Sequence, residues 1–164
     1  MEQVNTQATK SNLDREEIIR TASQCAVQYK HMGFHCSESM IRAVPLALGM
    51  SLPTDVIRCS CGFFGGGGGT GDRCGIIEVG IMLLSYLYAR MHPMQSENNM
   101  RVLVGRLQDE FRKEIGSIYC RDIKPAAVAR CGIEMGCEET YAKGAALVTR
   151  IILDADKILA EQNK

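Results

Sequence analysis

Apolar residues recur every three to four positions along most of this chain, and that spacing predicts helices. Ile18, Ala22, Cys25, Ala26 and Tyr29 form the first such face. Before it, Asp14 as N-cap and Glu17 make a capping box, with Leu13 and Ile18 as a hydrophobic staple across it. Gly33 supplies the stop. A second helix is predicted over 37–48, with Met40, Ile41, Val44 and Leu48 inward and Gly49 after it. Pro45 marks a kink or break inside it. A short helix is predicted over 53–59. Residues 62–71 hold too many glycines for regular structure and form a loop whose bare backbone can approach something closely. An apolar helix follows over 74–90, then a strongly amphipathic one over 96–115. The core positions of the latter are Met100, Leu103, Val104, Leu107, Phe111 and Ile115. Residues 116–130, with Pro125 inside, read as a connector. A last helix is predicted from 137 to 162, with Tyr141, Ala145, Val148, Ile152, Ala155 and Leu159 on its buried face.

No segment alternates with the period of two that a half-buried strand requires. The expected fold is therefore all-α: a compact bundle of five or six helices, with a glycine-rich loop before a buried central helix. Residues 1–12 are polar and aperiodic and are expected to be a disordered tail. Residues 13–164 are expected to be a single helical, Cys-rich domain.

Composition narrows the function. The chain has 164 residues, 46% of them apolar, with 19 basic against 19 acidic. That balance argues against nucleic-acid binding through bulk charge. The absence of Trp and an aromatic content of 5% argue against a base-stacking platform. The apolar run 76–89 is interrupted by Glu78 and Ser85 and is too short for a bilayer, so no membrane insertion is expected. Eight cysteines stand out. The opening residues lack the apolar segment of a secretory signal, and the chain is long for a disulfide scaffold. A cytoplasmic protein with reduced thiols is the expectation, and in that setting many cysteines point to metal or redox chemistry.

The motifs leave the chemistry dispersed. Gly66, Gly68 and Gly71 match a dinucleotide fingerprint by composition alone, with no strand before them. Asp72-Arg73 stands where a phosphate loop requires Lys and Ser or Thr. No C-x-x-C pair occurs, and no C-x-x-C-H, so covalently attached haem is excluded. The nearest cysteine pair is Cys59-Ser60-Cys61. Position says more: Cys36, Cys74 and Cys137 fall at predicted helix N-termini, where partial positive charge lowers a thiol pKa. Cys120 lies in the connector. Arg73 and Arg121 add positive charge beside Cys74 and Cys120, and Glu78 opposes it. Cys25 sits on an apolar face and reads as core. His35, beside Cys36, is a ligand or proton donor, or simply an exposed turn residue; His31 and His92 have weaker claims. The nine Met are scattered and read as core filler.

The order of these pieces resembles the C-GCAxxG-C-C family of redox-active proteins. The resemblance rests on Cys36-Ser37-Glu38-Ser39-Met40, Phe64-Gly65-Gly66-Gly67, Cys74-Gly75, Gly80-Ile81-Met82, Cys120-Arg121-Asp122 and Cys137. It departs from the family pattern at Ile76, in place of Ala, and at Val79, where the family's Gly is displaced to Gly80. Cys59, Cys61 and Cys131 are additional. Either Cys131 or Cys137 can fill the fourth position, and Cys137 is preferred because it opens the last helix. The family resembles the non-haem part of split-Soret cytochromes, which are dimers with an iron–sulfur centre. The resemblance thus implies an iron–sulfur cluster held by Cys36, Cys74, Cys120 and Cys137, wrapped by Gly65, Gly66, Gly67 and Gly75, in a protein with an electron-transfer role and an unidentified redox partner. Two alternatives stand beside it. One is a metal-free thiol–disulfide protein, with Cys74 attacking and Cys36 or Cys120 resolving. The other is an interaction domain with a structural metal such as zinc, or none. No Ser/His/Asp or paired-carboxylate arrangement supports hydrolysis. The apolar 76–89 helix further suggests a homodimer.

Overall fold

The computed structural model describes residues 15–161. Leu13, Asp14, the 1–12 tail and Gln162 lie outside the described residues, so the staple and the N-cap assigned to Asp14 fall there too. Among the described residues eight α-helices follow one another: α1 (Arg15–His31), α2 (Cys36–Ala47), α3 (Thr54–Cys59), α4 (Gly75–Tyr88), α5 (Asn98–Ile115), α6 (Cys120–Met135), α7 (Glu138–Leu153) and α8 (Ala155–Glu161), with a 3-10 turn at Cys61–Phe63. The all-helical class is as the periodicity predicts. The number of helices is larger than five or six, and two local features account for the excess.

The first is α6, where the sequence reads as a connector. Pro125 denies it one hydrogen bond in its second turn, and among the described residues it buries only Ile123 and Ala127. A helix that is mostly exposed carries no apolar stripe to detect. Its start is made by tertiary contacts: the Cys120 N–H donates to the Asp72 carbonyl (2.8 Å) and the Arg121 N–H to the Gly71 carbonyl (2.9 Å). Those carbonyls belong to the distant glycine loop and satisfy donors that a helix N-terminus leaves open. The second feature is a break at Asp154, which divides the predicted last helix into α7 and α8. The Asp154 carboxylate there accepts from Arg15 at 2.5 Å, and Ala155 and Ile158 are turned into the core. Pro45, by contrast, does not break α2, which runs two residues beyond it.

The core sits around α4, which packs on α2, α5 and α7. Ile76, Ile77, Val79, Leu83 and Leu84 are buried, which leaves Ile81 and Met82 half-buried and Tyr86 at the surface. Two glycines let the helices approach. A Cβ on Gly80 would lie 2.9 Å from Leu107 and from Val148, and one on Gly144 would collide with Ile76 and stand 3.5 Å from Phe111. Ile76 is thus matched by the missing side chain of Gly144 across the interface. Gly80→Ala and Gly144→Ala are each expected to destabilise by about 1–3 kcal/mol through overpacking, seen as a lower urea midpoint at unchanged slope. Among the described residues no helix is long and apolar enough to cross a membrane.

Candidate functional site

The four cysteines singled out by the sequence all stand at helix N-termini. Cys36 and Cys120 open α2 and α6, while Cys74 and Cys137 are the N-caps of α4 and α7. Each helix start is specified locally or by its neighbours. Before α2, the His35 N–H donates to the Glu38 carboxylate at 2.9 Å. Before α4, the Cys74 N–H donates to the Ile118 carbonyl at 2.8 Å.

These four residues line one cavity of 320 Å³. Every one of the six pairs among the four thiols interacts electrostatically. The positive ends of four helices therefore meet around one void. Cys131, the other candidate for the fourth position, is exposed and does not line it. Cys59 is also exposed. Cys61 is half-buried, its S–H directed at the Glu38 carboxylate 3.7 Å away, and Cys25 packs against the core.

One wall of the cavity is the glycine loop. Residues Gly65 to Gly69 all have φ between +59° and +89°, and Gly71 has +82°. Each such residue with a side chain would cost about 1–2 kcal/mol, so the tract is conformationally required. The loop is also tied to itself, with the Gly68, Gly69 and Gly71 N–H groups donating to the Gly62, Phe64 and Gly65 carbonyls at 2.9–3.0 Å. Gly65 lines the cysteine cavity, whereas Gly66 and Gly67 line a neighbouring one. Gly75 lies beneath Cys36: a Cβ there would sit 2.9 Å from its sulfur and 2.5 Å from the Phe63 carbonyl.

The electrostatics reverse the expectation of activated thiols. Burial pushes the Cys36, Cys74, Cys120 and Cys137 thiols up, and for Cys74 it does so strongly. Cys74 is only 5% exposed, and an unpaired charge there lacks water. Opposing forces exist but lose. The Gly65 and Ser37 N–H groups favour a Cys36 thiolate, the Ile76 N–H favours that of Cys74, and Lys124 favours those of Cys120 and Cys137. The helix ends alone do not outweigh desolvation and mutual repulsion of neighbouring sulfurs.

Several residues of the cavity were not legible as site residues. Tyr141 was assigned only to a buried face, yet its hydroxyl is pushed up by burial and then by all four cysteines, so it faces the same void. Lys124 and Lys30 also line it, Lys30 pairing with Glu138 at 3.4 Å. The available signal was helical spacing: Tyr141 lies four residues after Cys137 and Lys124 four after Cys120, each on its cysteine's face. His35 lines the cavity and stacks on Phe64, ring centroids 4.7 Å apart. His31 instead meets Glu138 at 2.7 Å, and His92 accepts from the Met94 N–H.

Among the described residues, no three His, Cys, Asp or Glu side chains gather closely enough to hold a single metal ion. The site of this all-helical protein is thus four cysteines at helix N-termini beside a bare backbone loop. The chain belongs to the family described as "Putative redox-active protein (C_GCAxxG_C_C)", whose model matches residues 34–151. No curated protein and no solved structure matches it.

Proposed function

We propose that this protein holds an iron–sulfur cluster through Cys36, Cys74, Cys120 and Cys137 and serves in electron transfer. The single observation that carries this reading is the shared cavity of those four residues, each at the start of a different helix. Its 320 Å³ suits a group larger than one ion, which weighs against a lone structural zinc with sulfurs about 2.3 Å from the metal. The burial of Cys74 weighs against the thiol–disulfide alternative, because an attacking sulfur must be a reachable thiolate. When bound, such a cluster supplies one-electron oxidation and reduction at a potential set by charge, hydrogen bonds and solvent access.

The chain's own residues supply the rest. The four sulfurs bind as thiolates, which iron makes favourable where burial alone does not. The Gly65 and Ile76 N–H groups face sulfurs of Cys36 and Cys74 and hold electron density there. Lys30 and Lys124 offset negative charge at the cavity wall, and Phe64, Ile123 and Tyr141 exclude water.

The test is anaerobic purification and reconstitution with ferrous iron and sulfide. Iron and acid-labile sulfide are expected together, with visible sulfide-to-iron absorption that bleaches on reduction. Cys36→Ser, Cys74→Ser, Cys120→Ser and Cys137→Ser should each lower iron retention about tenfold or more, while Cys25→Ser and Cys131→Ser should not. Iron-free protein after such treatment, or stoichiometric zinc in its place, would defeat the proposal.

A further inference from the structure

Tyr141 brings a phenol into the wall of the cysteine cavity. It lies four residues after Cys137, and its N–H donates to the Cys137 carbonyl at 2.9 Å. The two side chains therefore share one face of the chain as α7 begins. Tyr141 is only 8% exposed and still lines the cavity, so its ring is held in the core while the residue opens onto the void. Burial first, then the Cys36, Cys137, Cys74 and Cys120 sulfurs, push its hydroxyl above the usual phenol range. One oxygen thus lies within electrostatic reach of all four sulfurs.

Among the described residues that hydroxyl has no hydrogen-bond partner. A buried phenol ordinarily finds one, and an unmet one calls for an explanation. The side chains of Phe64, Ile76 and Ile123 in the same wall offer no acceptor, and those of Lys30 and Lys124 only donate. Sulfur is the chemistry that this cavity concentrates. A protonated thiol accepts a hydrogen bond weakly, whereas a thiolate on iron or a bridging sulfide carries negative charge and accepts well. The hydroxyl is therefore unmet in the metal-free protein for the reason that would satisfy it in the loaded one.

We infer that Tyr141 is a potential-setting residue of the iron–sulfur site, donating its O–H to sulfur there. This rests on the cluster reading of the four cysteines. The donor stabilises negative charge on sulfur, and that charge is greater after reduction than before it, so its presence raises the potential. The electron comes from an external one-electron reductant. The proton stays on the phenol oxygen throughout, and no covalent bond to Tyr141 forms or breaks. Tyr141 thereby does more than exclude water, and phenylalanine, alike in ring and volume, could not replace it.

Tyr141→Phe tests this, since it removes the hydroxyl alone. Wild type and variant are reconstituted with ferrous iron and sulfide, compared for iron content, and titrated anaerobically with dithionite in the presence of redox mediators. Equal iron content is expected, with the reduced form about tenfold less favoured in the variant, a fall of about 59 mV for a one-electron couple. Tyr86→Phe, at the surface near the far end of α4, should leave the potential unchanged. In metal-free protein Tyr141→Phe should leave the urea midpoint unchanged or raise it, because it removes a polar group without a partner. Resonance Raman of loaded wild type supplies a second measurement: its iron–sulfur stretching bands should shift in D2O, and shift less in Tyr141→Phe. Wild type that takes up no iron defeats the cluster reading itself. Wild type that loads normally, beside a loaded variant of unchanged or raised potential, overturns this inference alone. A folded variant that retains no iron, or a lowered urea midpoint in the metal-free variant, overturns it too, by showing a structural role for the hydroxyl. Wild-type bands indifferent to D2O decide against it even if the variant does not fold.

Discussion

Gly66→Ala is expected to destabilise the protein far more than the same substitution two residues later. Both positions have left-handed backbone, with φ of +78° at Gly66 and +65° at Gly68. Each alanine therefore incurs about 1–2 kcal/mol. The surroundings differ. A Cβ on Gly66 would lie 2.5 Å from both the nitrogen and the carbonyl oxygen of Asp72, whereas a Cβ on Gly68 meets nothing within 4 Å. Backbone cannot step aside as a side chain can, so Gly66→Ala should lose a further amount of about 1–3 kcal/mol. The Asp72 carbonyl that would be displaced is the acceptor for the Cys120 N–H, so the shift is passed to a sulfur of the cavity. Gly62 completes the series: its φ is not positive and a Cβ there meets nothing within 4 Å. Gly62→Ala should be neutral or stabilise by about 0.4–1 kcal/mol. Urea unfolding of the three variants checks the ranking, and equal losses at Gly66 and Gly68 would show that the loop does not hold the described packing.

The second large effect is a dependence on pH in protein stripped of metal under reducing conditions. Burial raises the Cys74 thiol above its unfolded value of about 8.5. Above that pH the unfolded chain releases a proton that the folded chain keeps. The native state then binds more protons, and stability falls as pH rises. The contribution is intact below about pH 8.5 and declines by about 1.4 kcal/mol for each pH unit above it, until the folded thiol itself ionises. Denaturation midpoints between pH 7.5 and 10 should therefore drop steeply, and Cys74→Ala should flatten the curve by about one proton's slope. Loading with iron and sulfide should flatten it as well, because a metal-bound sulfur is already a thiolate. A wild-type slope identical to that of Cys74→Ala would contradict the burial of this sulfur as a neutral thiol.

The two results address different links of one chain of causes. The glycine series reads how sequence sets the loop, and the pH slope reads what the assembled cavity does to the groups inside it. Both concern the region where α2, α4, α6 and α7 begin. There the same residues serve fold and site at once: Gly75 is small because the Cys36 sulfur and the Phe63 carbonyl occupy the space its side chain would need.

Much of the helical framework was readable from residue order. The faces Ile18–Ala22–Ala26 and Leu103–Leu107–Phe111 are set by local spacing, and both are buried. The stops at Gly33 and Gly49 have positive φ, which only glycine adopts freely. A tract of consecutive glycines likewise declares that no regular element passes through it. Three of the four helix-end cysteines are placed at helix starts by the same local logic; Cys120 reads as part of a connector because its helix is nucleated from outside.

The periodicity, the glycine punctuation and the positions of Cys36, Cys74 and Cys137 at helix starts are short-range properties, so the chain by itself determined them. The meeting of four sulfurs, the start of α6 on carbonyls of a distant loop, the opening of Tyr141 onto the same cavity and the upward direction of the thiol pKa values belong to the tertiary structure. The reason is physical: spacing along a helix selects which side chains share a face, but burial and Coulomb interaction depend on what the other elements place opposite that face.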